Sequence, residues 1–219
     1  MKQLLDAIRQ GDGGAAQTLV EGDPALVDAR GGDGVPAVRL AFYYRHPEIA
    51  QMLIERGAVL DVHDAAAAGQ MERLRALATT AAAVNSLSAD GATALGLAAF
   101  FGHLHAVEYL LDHGARIDML ATNPAFPFAA LHSALSAGNK SIVDLLLARG
   151  ANFNVREGGG MTVLHEAAGQ GNVEYVRLLL AKGANPAAKT EEGKLPEDFA
   201  RERKFASVVE ILEQARAAR

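Results

Sequence analysis

A short motif recurs along this chain about every 33 residues, and a period of this size limits the fold more than any other feature of the sequence. The motif places an alanine in a short helical run, just before a step that usually contains glycine. The alanines are Ala7, Ala41, Ala65, Ala98, Ala134, Ala167 and Ala200. Most of the intervals between them equal this period or differ from it by one position. We infer a stack of about seven repeats, each of which buries its apolar surface against its neighbours.

The clearest repeat runs from Gly160 to Asn185 and reads GMTVLHEAAGQGN followed by VEYVRLLLAKGAN. Val173, Val176 and Leu179 recur at helical spacing, so its second helix carries one apolar stripe. Gly183 follows this helix, at a position where a left-handed residue closes a helix end. The repeat closely resembles the pattern of the ankyrin repeat family, and several other repeats of the chain match it.

The resemblance covers essentially residues 1–219 and implies an all-α repeat solenoid. Each repeat would hold two antiparallel helices and a projecting β-hairpin finger, and the terminal repeats would act as caps. We therefore expect a single domain. Its repeats span residues 1–30, 31–60, 61–87, 88–122, 123–156, 157–189 and 190–219. VDARGGDG at residues 27–34 matches VNSLSADG at residues 84–91 in spacing, so repeats one and two look like a copied pair of repeats three and four.

The composition excludes several classes of function. The net charge is −5 and the pI is about 5.8, whereas nucleic-acid binders usually carry a basic face. Cysteine is missing, which excludes disulfides, thiolate nucleophiles and cysteine-based metal sites. The sequence lacks an apolar stretch of roughly 20 residues that would span a bilayer, and its N-terminus does not resemble a signal peptide. We expect a soluble, cytoplasmic protein that binds neither nucleic acid nor membrane.

Paired aromatic residues mark the surface that the resemblance assigns to binding. In ankyrin repeats, the resemblance implies that the finger tips and the last exposed turn of the first helix face a concave groove. These helix positions hold Tyr43 and Tyr44 in repeat two, alanines in repeat three, and Phe100 and Phe101 in repeat four. Adjacent helical residues diverge by about 100°, so one member of each pair points outward. We expect Tyr44 and Phe101 to be the outward members.

Two irregular fingers adjoin the same region. The interval that ends at Ala65 is about nine residues shorter than the period, which indicates that repeat three has lost its finger and would open the groove there. The interval that ends at Ala134 is about three residues longer than the period, and the addition lies within NPAFPF at 123–128. The prolines should stiffen this finger. Phe126 and Phe128 fall on its variable positions, beside Phe101.

Contiguous exposed aromatic side chains usually indicate an interaction surface. Two other outcomes stay open for these aromatic residues. The inserted prolines and phenylalanines could fold over the aromatic helices as a private small core, or the patch could join two copies of the chain in a homodimer.

A threonine–histidine step distinguishes the repeats. His165 follows Thr162 in the T-x-x-H step of the family, where the resemblance implies a mutual hydrogen bond at the start of a helix. His132 lacks such a partner because Ala129 replaces the threonine. Arg39 and Gly96 stand at the histidine position in repeats two and four, which is a departure from the pattern. These departures indicate either irregular repeats or an adapted site.

A few polar residues would serve an enzyme. Asp33 and Asp90 precede glycine at matching finger tips, where Asp-Gly is chiefly a turn signal. Together with Arg39, His103 and His132 they form the polar set nearest the aromatic gap, capable in principle of acid–base chemistry. Nothing in their spacing requires catalysis.

Cofactor motifs are also missing from the sequence. His103 and His105 form an H-x-H step without a third ligand placed by the sequence, so we predict no metal site. The glycines at 158–160 are not followed by the Lys-Ser/Thr of a phosphate-binding loop, and we predict no cofactor.

Our leading hypothesis is non-catalytic recognition of a protein partner through an aromatic-lined concave groove. The candidate residues are Tyr43, Tyr44, Phe100, Phe101, Phe126, Phe128, Asp33, Arg39, Asp90 and His132. The alternative is a small-molecule-binding protein or an enzyme with a cleft between repeats two and five, which would take a small apolar ligand.

Overall fold

The computed structural model describes residues 1–123 and 127–218, and in these ranges the chain forms successive pairs of short α-helices, with one additional four-residue helix at Ala81–Val84. In the first half these are α1 (Lys2–Gln10), α2 (Gly13–Gly22), α3 (Ala37–Tyr43), α4 (Pro47–Glu55), α5 (Val62–Ala67), α6 (Met71–Leu77), α7 (Ala81–Val84), α8 (Ala94–Phe101) and α9 (Leu104–Asp112). In the second half they are α10 (Ala130–Ser136), α11 (Lys140–Ala148), α12 (Val163–Gly169), α13 (Val173–Ala181), α14 (Pro196–Glu202) and α15 (Ala206–Ala217). Short 3-10 helices cover Pro24–Asp28 and Gly158–Gly160.

The turn inside each helix pair follows from two adjacent residues. Gly11 adopts the left-handed conformation that ends α1, with φ at 71°. Asp12 then caps α2, because its carboxylate accepts the N–H of Ala15 at 2.9 Å. Gly171 and Asn172 end α12 and cap α13 in the same way. This Gly-Asp or Gly-Asn step is the glycine-containing feature that defines the repeat in the sequence.

The left-handed glycines also allow neighbouring repeats to approach closely. A Cβ at Gly171 would lie 2.7 Å from the Phe205 ring of the next repeat. Gly69 faces the ring of His103 in the same manner, and His103 Nε2 lies 2.9 Å from the carbonyl oxygen of Ala67. His103 therefore joins two repeats in the fold.

Contacts group the chain into two compact units, Met1–Ala115 and Arg116–Arg219. Within the first unit, α5 packs on α8 and α3 packs on α4; within the second, α12 packs on α14. Val176 and Leu179 are buried, as their spacing predicts. The all-α repeat architecture is confirmed, and one domain over all seven repeats stays a prediction.

The two fingers of the first compact unit have the same local structure at matching positions, and the copying of the pair stays a prediction. Arg30 forms an isolated antiparallel bridge with Pro36, and Leu87 forms the same bridge with Thr93. The two bridges therefore join matching positions of the two copies. Repeat three, by contrast, passes from α4 to α5 without a finger. Among the helices of the described ranges, none combines the length and the apolar character that a bilayer-spanning segment needs.

Candidate functional site

Arg39 on α3 is at the centre of a buried charge network in the first compact unit. Its side chain is 0% exposed. Nε donates to Asp64 Oδ1 at 3.0 Å, Nη1 to Asp90 Oδ1 at 2.9 Å, and Nη2 to Asp61 Oδ2 at 3.4 Å. Arg39, which stands where the repeat pattern has histidine, thus forms an ion-pair network that joins repeats two, three and four.

The start of α5 fixes two of these carboxylates. Asp61 is the N-cap: its Oδ1 accepts the N–H groups of His63 at 2.9 Å and Asp64 at 2.8 Å. Asp64 Oδ2 accepts the N–H of Asp61 at 3.2 Å, which completes a capping box. Each aspartate therefore bonds the backbone through one oxygen and Arg39 through the other. Sequence reasoning missed both residues, although D-x-x-D before an apolar helical run is a capping-box signal.

Asp90 connects the finger of repeat four to α3 of repeat two. Its Oδ1 accepts the Ser88 hydroxyl at 2.6 Å and its Oδ2 accepts the Tyr43 hydroxyl at 2.7 Å. A Cβ at Gly34 on the finger of repeat two would lie 3.0 Å from the Ala89 Cβ. The two fingers are therefore adjacent, and the expected open gap over repeat three is wrong. Losing one finger lets the next finger reach the repeat beyond it.

Asp33 and Asp90 hold matching positions in the copied pair but differ in their contacts. Asp33 accepts the N–H of Val35 at 3.1 Å, a bond within its own turn. An Asp-Gly turn therefore accounts for Asp33, whereas Asp90 also bonds Arg39 and Tyr43 outside its own turn.

The network holds more negative than positive charge, and burial changes how it titrates. Burial raises the pKa of Asp64 to about 6 against the opposing charge of Arg39, and the charge of Asp61 adds to the rise. Burial also opposes ionisation of Asp61, but hydrogen bonds from His63 and from the Asp64 N–H, with the charge of Arg39, lower its pKa. The pKa of Asp90 is likewise lowered, because the hydroxyls of Ser88 and Tyr43 and the charge of Arg39 outweigh its burial.

The aromatic residues of the first compact unit contact one another, and Tyr43 also bonds Asp90 of the network. The Phe101 ring lies 5.4 Å from the Phe42 ring, 6.2 Å from that of Tyr43 and 5.1 Å from that of Phe100, measured between centroids. Tyr43, Tyr44 and Phe100 are 38%, 45% and 40% exposed. We call Tyr43, Tyr44, Phe100 and Phe101 the aromatic surface.

The expectation of a single outward member fails for the tyrosine pair, in which both residues are exposed, and names the wrong residue in the phenylalanine pair. Tyr44 is exposed as expected. Phe101 is half-buried among the three neighbouring rings, and Phe100 is the exposed member. Phe42, which sequence reasoning missed, packs against Phe101.

The finger before α10 belongs to the second compact unit. Phe126 lies outside the described residues, together with Pro124 and Ala125. The Phe128 ring stacks on the ring of His132 at a centroid distance of 5.3 Å and an angle of 10°.

The missing threonine before His132 is replaced by a carboxylate from the following repeat. Glu157 Oε1 accepts the N–H of Ala129 at 2.8 Å, and Glu157 Oε2 lies 2.7 Å from His132 Nδ1. Both side chains are buried. In the regular repeat, Thr162 and His165 form the expected capping pair at 2.9 Å. The irregular sequence of repeat five is therefore compensated across the repeat boundary, and His132 serves this contact.

The described residues contain no group of three His, Cys, Asp or Glu side chains that could hold a metal ion. Among the polar candidates, the structure brings Arg39 and Asp90 together, whereas His103 and His132 make separate structural contacts.

Comparisons with known proteins agree with this architecture. A family model described as ankyrin repeats (3 copies) matches residues 4–121, 62–157 and 131–216. A mouse protein, ankyrin repeat and SAM domain-containing protein 6, is 42% identical over 79 residues, which is 36% of this chain and 9% of that protein. The rat protein of the same name is 40% identical over 79 residues, with the same coverage. The chain thus matches only a small part of these relatives. Because the family model covers nearly all of its length, the chain belongs to the ankyrin repeat family.

Proposed function

We propose that the chain recognises a protein partner through the aromatic surface of its first compact unit. Ankyrin repeats are in general protein-interaction modules, which agrees with a binding role. The observation that carries the proposal is the exposure of Tyr43 and Tyr44 at the end of α3 and of Phe100 on α8, the first helices of repeats two and four. Soluble domains rarely leave large apolar side chains contiguous in water unless a partner covers them.

The contacts beneath this surface support binding by restricting its motion before a partner arrives. Tyr43 is bonded to Asp90, Asp90 is bonded to Arg39, and Phe101 is enclosed by three rings. Side chains that are already ordered lose less conformational entropy on association. Large aromatic anchors of this kind commonly contribute most of the binding energy of an interface.

A recognition role also fits the chemistry of the polar residues better than catalysis does. All three guanidinium nitrogens of Arg39 bond carboxylates, and the side chain has no exposed surface. A buried guanidinium of this kind does not reach a substrate in solvent, so we assign Arg39 a positioning role.

The test combines partner identification with a paired substitution. Partners would be isolated from the native host by affinity capture and identified by mass spectrometry, and binding would be measured with the purified proteins by calorimetry. We expect Tyr44→Ala with Phe100→Ala to weaken binding about 30-fold, as the loss of two anchors of about 1 kcal/mol each implies. Because both rings are exposed, the free energy of unfolding should fall by less than about 2 kcal/mol.

Tyr109→Ala provides the matched control. Tyr109 is a half-buried aromatic residue on α9, the second helix of repeat four, and stacks on His113 at 3.9 Å. Its loss should leave partner affinity unchanged. Equal affinity of the paired variant and the unaltered chain would rule out the aromatic surface as the binding site.

A further inference from the structure

We propose that the segment bound at the aromatic surface presents a lysine or arginine side chain next to its apolar anchor. This inference rests on the proposed function and specifies the chemistry of the partner. The inference depends on which charges of the Arg39 network are exposed and which are buried.

The network hides its positive charge and exposes part of its negative charge. Three carboxylates surround one guanidinium, so the group carries excess negative charge. The side chain of Arg39 is fully buried, whereas the Asp61 side chain is 40% exposed. Asp64 is buried, so Asp61 is the carboxylate that a partner meets most readily.

The network reaches the aromatic surface through Asp90. Asp90 bonds Arg39 through one oxygen and the exposed Tyr43 through the other, so one bonded chain of side chains runs from Asp61 to Tyr43. Arg45 follows Tyr44 along the chain and adds one positive charge against the carboxylates. The balance of the network remains negative.

A lysine or arginine side chain satisfies both parts of such a surface. Its alkyl stem can pack on apolar rings while its charged end stays near carboxylates and water. Ring faces also attract cations, because the π-system presents negative charge. A glutamate at the same place would be repelled by Asp61 and Asp90, and an uncharged chain would gain only the apolar contact.

The test uses three synthetic tetrapeptides with blocked ends: Ala-Lys-Phe-Ala and its counterparts with norleucine or glutamate in place of lysine. Norleucine keeps the alkyl stem and removes the ammonium group. Each peptide is titrated into the full chain at low salt while NMR follows the ring signals of tyrosine and phenylalanine. We expect the lysine peptide to bind about two- to fivefold more tightly than the norleucine peptide, and the glutamate peptide to bind most weakly. Added salt should reduce the difference.

Asp61→Asn removes the charge and keeps a residue that caps helices well. Its matched control is Asp12→Asn, which removes one charge from another N-cap of the same compact unit. The lysine preference should disappear in the first variant and persist in the second. A preference that survives Asp61→Asn would overturn the assignment of the cation to this network.

The other outcomes separate the two proposals. Equal binding of the lysine and norleucine peptides overturns the cation inference and leaves aromatic recognition intact. If none of the peptides shifts the ring signals, the inference fails and the proposed binding surface is contradicted as well.

Discussion

Arg39 shows how a single residue can replace the local chemistry of a repeat with contacts over long distances in sequence. Its partners Asp64 and Asp90 are 25 and 51 residues further along the chain. A buried ion pair of this kind contributes little compared with a well-packed apolar residue, but removing one partner leaves a buried charge without compensation. The network therefore stabilises one arrangement of three repeats.

Arg39→Met tests this role. The change leaves Asp64 and Asp90 without their cation, so we expect the free energy of unfolding to fall by about 3–5 kcal/mol. Urea denaturation monitored by circular dichroism measures it. Arg45→Met, at an exposed site shortly after α3, should change stability by less than about 0.5 kcal/mol. Similar losses in both variants would contradict the structural role of the network.

Asp64 gives a prediction for pH. Its pKa is raised in the folded chain to about 6, so the folded state favours the protonated carboxyl. The resulting stabilisation is complete below about pH 4 and is lost as the pH rises through about 6, and it amounts to at most about 3 kcal/mol. Asp61 and Asp90 have lowered pKa values in the folded chain, so the ionised carboxylates stabilise it. This stabilisation is lost only as the pH falls below about 4.

Denaturation curves recorded between about pH 4 and pH 7 test this titration. The stability of Asp64→Asn should depend less on pH than that of the unaltered chain across this range. Asp12→Asn should retain the full dependence. Parallel curves for Asp64→Asn and the unaltered chain would show that Asp64 does not titrate there.

At the scale of one element, α10 begins without the threonine cap that its repeat pattern calls for. Ala129 offers no hydroxyl, and the carboxylate of Glu157 accepts its N–H and meets His132 instead. The helix start is therefore stabilised by a residue that lies 28 positions further along the chain.

Glu157→Ala should destabilise the chain by about 1–3 kcal/mol, because the buried N–H of Ala129 loses its acceptor. Adding Ala129→Thr should restore about 1 kcal/mol or more by supplying the local cap. Thermal and urea unfolding would measure both changes. Glu191→Ala, at an exposed position in the next repeat, is the control and should have little effect. A double variant no more stable than Glu157→Ala alone would contradict the replacement.

These elements show which features the sequence can predict. The period and the lost finger follow from spacing, the Thr162–His165 cap follows from the family resemblance, and the structure confirms all three. The partners of Arg39 and of Ala129 do not follow, because they depend on which distant residues the stacking brings together. The exposed member of the Phe100–Phe101 pair depends on the Phe42 ring in another repeat, so helical periodicity alone could not identify it.

At the scale of the molecule, a repeat protein is expected to be stabilised chiefly by contacts between adjacent repeats. The bonds from Arg39 and Tyr43 to Asp90 connect repeats two and four directly. Repeats two, three and four should therefore open together.

Native-state hydrogen exchange tests this coupling. We expect the slowest amides of α3, α5 and α8 to exchange with one common free energy of opening. Asp90→Asn should lower that free energy in all three helices, whereas Asp33→Asn, at the matching position of the copied pair, should lower it in none. Separate free energies for the three helices would contradict the coupling.

The finger-free repeat also limits how such a chain could be lengthened or shortened by recombination. A standard repeat of about 33 residues inserted between Arg39 and Asp90 would separate the guanidinium from the Asp90 carboxylate. A block that reaches from one finger to the matching point of the other, as from Arg30 to Leu87, carries a complete finger and a finger-free neighbour together. The module that can be copied without leaving a buried charge unpaired is therefore the pair of repeats, and a gene encoding this surface would gain or lose it two repeats at a time.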